Sequence, residues 1–153
     1  MEICYITIRR RVVKLSKEEK AEAEITELIN KYFDAYKMKD QAKVLSCFAN
    51  DPSTVLIGRE LGEKRVGYEE LKEQIAKDFE KYEFTKIDLP WKTVNIKGPI
   101  ALLTAEVDLS MKVGEEEQKA TARLTAAMEK KKDEWLIVQS HISLPSPSVE
   151  EKK

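Results

Sequence analysis

With one histidine, two cysteines, five glycines and five prolines in 153 residues, the chain lacks the raw material for several classes of function. A lone His141 cannot make a zinc site by itself, since such sites draw several ligands from His, Cys and carboxylates. Cys4 and Cys47 stand in unlike contexts without C-x-x-C spacing, so no disulfide framework is expected, and this usage fits a reducing cytoplasm. Gly58, Gly62 and Gly67 do not follow the spacing of a phosphate-binding loop and read as turn residues. No apolar run approaches the roughly 20 residues of a membrane-spanning helix. Near the amino end Arg9, Arg10 and Arg11 follow the apolar residues, the reverse of an export signal. An excess of one charge is missing too: 27 Lys and Arg stand against 28 Asp and Glu, a formal net charge of -1. No field therefore gathers nucleic acid or acidic lipid. These absences leave a soluble, cytoplasmic, single-domain protein as the expectation, without metal or cofactor, whose partners are neutral molecules or other proteins.

What is present is periodicity. Ser16 and Glu19 form a capping box, in which the serine oxygen takes an orphan backbone N–H and the glutamate reaches back. Ile25, Leu28, Ile29, Tyr32, Phe33 and Tyr36 then step by three and four, the stripe of a core-facing helix. Asp40 is placed to cap a second, short helix through Val44, Leu45 and Phe48, which Asp51-Pro52 ends. Thr54 to Glu60 reads as a first strand, and Gly62 and Gly67 bracket a turn into a third helix carrying Tyr68, Leu71, Ile75, Phe79 and Tyr82. After Phe84 the pattern alternates, predicting strands near Thr85 to Lys97, Ile100 to Val113, Thr121 to Glu129 and Trp135 to Leu144. Helices first and a meander later predict an α+β domain over 16–145, with three helices on one face of a curved antiparallel sheet. Residues 1–15 read as an extra strand or a loose arm, and 146–153 as a disordered tail.

Turn lengths predict register. A two-residue turn at Gly114-Glu115 sets Lys112 opposite Glu117, Glu106 opposite Arg123 and Thr104 opposite Thr125. A loop at Gly98-Pro99 sets Trp91 opposite Glu106. A three-residue loop at Lys131 to Asp133 sets Arg123 opposite His141, Thr125 opposite Gln139 and Thr121 opposite Ser143. One sheet face then carries the polar row Trp91, Glu106, Arg123, His141, together with Trp135 and Ile137. The other face, with Leu103, Leu124, Val138 and Ile142, lies under the helices. The polar row is either an acid-base or anion-binding site or a cross-strand ladder where twin subunits stack. Large aromatics on that outer face predict a homodimer.

The order of elements, with Y-F-D-A-Y-K-M-K-D before a short helix, D-P-S-T-V-L-I-G, R-V-G-Y-E-E-L and the closing W-L-I-V-Q-S-H-I-S-L-P, resembles the SnoaL-like branch of the nuclear transport factor 2-like superfamily. The resemblance covers roughly Ser16 to Pro145. It implies a cone-shaped roll of the cystatin-like kind, with a cavity between bent sheet and helices and usually a dimer through the outer sheet face. It also implies a range of activities, from isomerases and dehydratases to non-catalytic hubs. Ketosteroid isomerases of the superfamily use a helix-1 tyrosine as oxyanion donor and an aspartate base on the first strand. Aligned on Asp40, Tyr32 takes the tyrosine position and Leu56 that of the base. The closing segment is also similar to the association domain of calcium/calmodulin-dependent protein kinase II, with Ile142 where that domain has a pocket arginine.

Two readings follow. In the first, the cone binds a small, mostly apolar molecule along Tyr32, Tyr36, Leu56, Leu103 and Ile142. In the second, the protein is an isomerase or hydrolyase for a cyclic or carbonyl substrate, with Tyr32 as hydrogen-bond donor and His141 as general base if it turns inward.

Overall fold

The computed structural model of the chain describes residues 5–8 and 11–146. The tail expected over 146–153 falls, beyond Ser146, outside the described residues, as do residues 1–4 of the expected arm. Within that arm β1 (Tyr5–Ile8) and β2 (Arg11–Lys14) pair antiparallel with each other and form a small sheet apart from the main one.

The first helix, α1 (Lys17–Lys37), starts where Ser16 Oγ accepts from Glu19 N at 3.1 Å. It buries Ile25, Ile29, Phe33 and Tyr36 along one stripe. Its successor α2 (Gln41–Ser46) is capped by Asp40, whose carboxylate accepts from Lys43 N at 3.1 Å. The chain then passes through the short strands β3 (Val55–Ile57) and β4 (Lys64–Val66) to α3 (Tyr68–Lys81). Gly67 precedes α3 at φ +90°, a conformation that side chains strain to adopt. Four long strands follow: β5 (Glu83–Lys97), β6 (Ile100–Val113), β7 (Glu116–Lys131) and β8 (Glu134–Ser143).

The six-stranded sheet has the order β4-β3-β8-β7-β6-β5. It is antiparallel except that β3 runs parallel to β8, so the sheet is mixed, and β4 is a strand the sequence reading treated as turn. Between the sheet and the three helices lies the core, and its inward pairs on β6 and β7 are matched large to small. Ala101 faces Met128, Leu103 faces Ala126, Ala105 faces Leu124 and Val107 faces Ala122. Each pair sums to a similar depth, so the helix layer rests on an even floor.

The β6–β7 register is the one predicted, with Glu106 opposite Arg123 and Thr104 opposite Thr125, and Trp91 lies opposite Glu106. The β7–β8 register is not. The turn there is Lys132-Asp133, both residues at positive φ (49° and 65°), and Lys131 pairs directly with Glu134. Farther on, a bulge places Met128 opposite Ile137 but Ala127 opposite Gln139, leaving Val138 as the extra residue. Arg123 consequently faces Ser143 and not His141, and Thr125 faces His141 and not Gln139. The turn, one residue shorter than predicted, reverses which residues of β8 face inward as far as the bulge, and the bulge restores the predicted facing beyond it. Trp135 and Ile137 are buried, not on the outer face, and Trp135 Nε1 donates to Glu24 Oε2 of α1 at 2.8 Å. Beyond the bulge Ile142 faces inward as predicted.

Candidate functional site

At one end of the cone α1, α3 and the β3–β4 connection converge on the inner surface of β5, β6 and β8 around a cavity of about 70 Å³. Its walls are largely apolar, with Phe33, Leu56, Phe84, Ile87, Leu109 and Ile142, and its polar groups come from Tyr32, Tyr36, Arg59, Glu63, Gln74 and Asp78. Gly58, Arg59, Glu63 and Ile142 are half-buried, which puts the mouth at the chain between β3 and β4.

The polar groups form a connected set. Tyr36 is three and four residues from Phe33 and Tyr32, so helix geometry stacks the three side chains toward one face. The rings of Tyr32 and Tyr36 meet edge to face at 5.2 Å. Tyr36 Oη donates to Asp78 Oδ2 at 3.2 Å, and Gln74 Nε2 donates to Asp78 Oδ1 at 2.9 Å. The side chains of Tyr32 and Tyr36 are close enough for each to affect the other's ionisation. The result is a polar cluster in which Tyr36 and Gln74 both donate to Asp78, with Tyr32 beside Tyr36.

Burial pushes the Asp78 carboxyl above its ordinary range, and the two donors from Gln74 and Tyr36 partly offset that rise. Burial likewise raises both tyrosines, with the charge of Asp78 adding to it, so each stays a neutral O–H. Tyr32 is half-exposed as a residue, yet its hydroxyl end is enclosed. Asp78 can take up a proton and the neutral tyrosine hydroxyls can offer one.

Of the residues singled out in the sequence, Tyr32, Tyr36, Leu56 and Ile142 line this cavity. Leu103 is buried in the core away from it. His141 is exposed on the outer sheet face, between Thr125 on β7 and Ile57 on β3, and Glu106, Arg123 and Trp91 are exposed on the same face. The outer row and the cavity are thus on opposite sides of the sheet. Arg59, Gln74 and Asp78 were not singled out. For two of them a signal existed: Gln74 and Asp78 sit three residues after Leu71 and Ile75 on α3, which places polar side chains on the helix face that goes inward. Arg59, in an irregular connection, carries no such signal. Among the described residues no group of His, Cys, Asp or Glu side chains is arranged to hold a metal ion.

A sequence profile of the SnoaL-like domain matches residues 25–147. No curated protein matches the chain. Among solved structures it is similar to a nuclear transport factor 2-like superfamily protein from Salmonella enterica, at 22% identity and a TM-score of 0.76 over 86% of this chain and 95% of that one. A candidate dehydratase of the same superfamily from Streptomyces avermitilis gives 14% identity and a TM-score of 0.75, over 84% and 99% of the two chains. A ketosteroid isomerase-like protein from Erwinia carotovora gives 21% and 0.68, over 82% and 96%. At these identities the likeness is one of fold.

Proposed function

The chain belongs to the SnoaL-like domain family, and from the site built on that frame we infer that its cone cavity binds a small, mostly apolar molecule by one polar end. The observation that carries this reading is the convergence of Tyr32, Tyr36, Gln74 and Asp78 on a cavity whose other walls, apart from Arg59 and Glu63 at the mouth, are largely hydrocarbon. Buried polar groups are costly to assemble, and a largely apolar pocket with a few convergent polar groups and a perturbed carboxyl is the usual form of a ligand site. Mass spectrometry of the purified protein under native conditions, without choosing a ligand beforehand, tests it. A retained small molecule that Ile142→Trp at the mouth expels supports the reading. Retention unchanged by that variant, or no uptake from a panel of small cyclic and carbonyl compounds, counts against it.

A second reading has its own support in the cluster of Tyr32, Tyr36 and Asp78. An isomerase or hydrolyase for a cyclic or carbonyl substrate needs a donor for the developing oxyanion and a group that exchanges a proton with the substrate. Tyr32 suits the first role. Asp78, with its raised affinity for a proton, suits the second better than His141, which stands on the outer face. Similarity in fold to the candidate dehydratase and the ketosteroid isomerase-like protein is compatible with such chemistry without assigning it.

A further inference from the structure

At about 70 Å³ the cavity is well under the ~150 Å³ that holds a benzene ring in an engineered apolar cavity. A molecule of ring size therefore enters only if a wall gives way. Most of the walls belong to α1, α3, β5, β6 and β8, whose inward side chains are tied into one packed core. Packed cores yield little. The exception is the connection 58–63 between β3 and β4, which supplies Gly58, Arg59 and Glu63 to the mouth and carries the fully exposed Leu61.

This connection is a unit of its own. Gly58 N donates to Glu63 O at 2.8 Å, Glu63 N to Glu60 O at 3.1 Å and Glu60 N to Glu63 Oε2 at 3.0 Å, so the turn is tied to itself. A side chain at Gly58 would run into that of Glu63. Among the described residues, the hydrogen bonds of the connection to the rest of the domain, outside its own hairpin, run through two side chains. Arg59 lies 4.7 Å from the centre of the Tyr82 ring and 5.6 Å from that of Phe84, and donates to the Met111 thioether at 3.3 Å. Glu60 Oε1 accepts from Tyr82 Oη at 2.8 Å and from Lys81 Nζ at 2.9 Å. Both holds converge on Tyr82, at the joint of α3 and β5. Neither is strong: sulfur is a weak acceptor, and the Glu60–Lys81 pair is half-exposed and screened by solvent. A segment held by exposed polar contacts, whose one apolar side chain is Leu61 in water, opens locally far more often than the domain unfolds.

We propose that the 58–63 connection is a movable wall of the cavity, caught shut at Tyr82, and that a ligand of ring size displaces it outward on entry. This rests on the cavity reading above and says how the site admits a molecule larger than its closed volume. A cysteine placed in the cavity, Ile87→Cys, reports opening without any ligand when it is labelled by a methanethiosulfonate reagent in a Cys4→Ser, Cys47→Ala background. Leu103→Cys, in the core away from the cavity, reports unfolding of the whole domain. Tyr82→Phe keeps the ring under Arg59 but removes the bond to Glu60, and Gly58→Ala forces Glu63 aside without altering Tyr82. Each is expected to raise the labelling rate at Ile87→Cys by about tenfold, the size of one hydrogen bond to a charged group, and to leave that at Leu103→Cys unchanged. A rate that neither variant changes, a rise matched at Leu103→Cys, or labelling already as fast as that of an exposed thiol overturns the inference. The cavity reading is then decided separately, by ligand uptake and its loss in Ile142→Trp. The expected rise with no compound taken up leaves a moving wall that admits nothing, and overturns the cavity reading together with the entry role drawn from it.

Discussion

Asp78 is a carboxyl held inside the site, and its behaviour with pH can be stated with a sign. Its carboxyl is raised above 3.8 by burial, so the folded state holds the proton more tightly than the unfolded state does. A raised carboxyl contributes its stability below the unfolded value and loses it as pH climbs through the folded value. Asp78→Asn removes this titration. Denaturant melts of both proteins should therefore show the variant gaining on the wild type as pH rises from about 4 toward neutrality, then a constant difference. A difference independent of pH would mean that Asp78 is not buried with its charge. The residues of the site were only partly legible in the sequence, for a physical reason. Tyr32, Tyr36, Leu56 and Ile142 lie on regular elements whose facing follows from period, whereas Arg59 reaches the mouth from a bend with no period to read. Gln74 and Asp78 were legible but look like solvated helix residues unless their place beside Leu71 and Ile75 is counted.

At the scale of elements the hairpins explain both the success and the failure of the register. Gly114, at φ 64°, announces its turn, and the β6–β7 pairing follows from it. Lys132 and Asp133 adopt positive φ without a glycine, so a tight turn there gives no sequence signal, and a bulge on β8 gives none either. The turn shifts the pairing by one residue and moves Trp135 and Ile137 across the sheet, and the bulge adds a second residue, which returns His141 and Ile142 to their predicted faces. That turn is strained, since left-handed backbone costs an L-residue about 1 kcal/mol or more. Replacing the pair by Asn-Gly, Lys132→Asn with Asp133→Gly, should stabilise the protein by roughly 1 kcal/mol in urea melts, with an unchanged slope. A destabilisation would show that those side chains matter more than their backbone. On the adjoining strand Leu124, 3% exposed, pairs with Ala105. Leu124→Ala would set two alanines face to face under α1, and a loss of roughly 2 to 5 kcal/mol is expected, as for other large-to-small changes in packed cores. A loss below about 1 kcal/mol would contradict the large-to-small matching of the sheet floor.

For the molecule as a whole, the open matter is whether the outer sheet face meets a twin. That expectation began with three large side chains there, and two of them, Trp135 and Ile137, are accounted for by the interior. What remains is Trp91, 50% exposed, and Leu102, 45% exposed, both outward on the β5–β6 pair. Leu102 is four residues along β6 from Glu106, the partner of Trp91, so at about 3.4 Å per residue the two lie on the order of 14 Å apart. The ground between them is Thr93, Thr104 and Asn95, polar but uncharged, which a facing sheet can cover without stripping water from ions. Glu106, directly opposite Trp91, stands across the ladder from Arg123, so a charge beside the anchor has an opposite one next to it on the same face. A homodimer through this face, with Trp91 as its anchor, is therefore expected at micromolar concentration, and Trp91→Lys should make the protein monomeric in sedimentation equilibrium without lowering its melting temperature as a monomer. Because the cavity lies on the opposite side of the sheet, the same variant should leave ligand uptake intact. A wild type that sediments as a monomer would remove the twin subunit and leave Trp91 as an exposed aromatic without a partner.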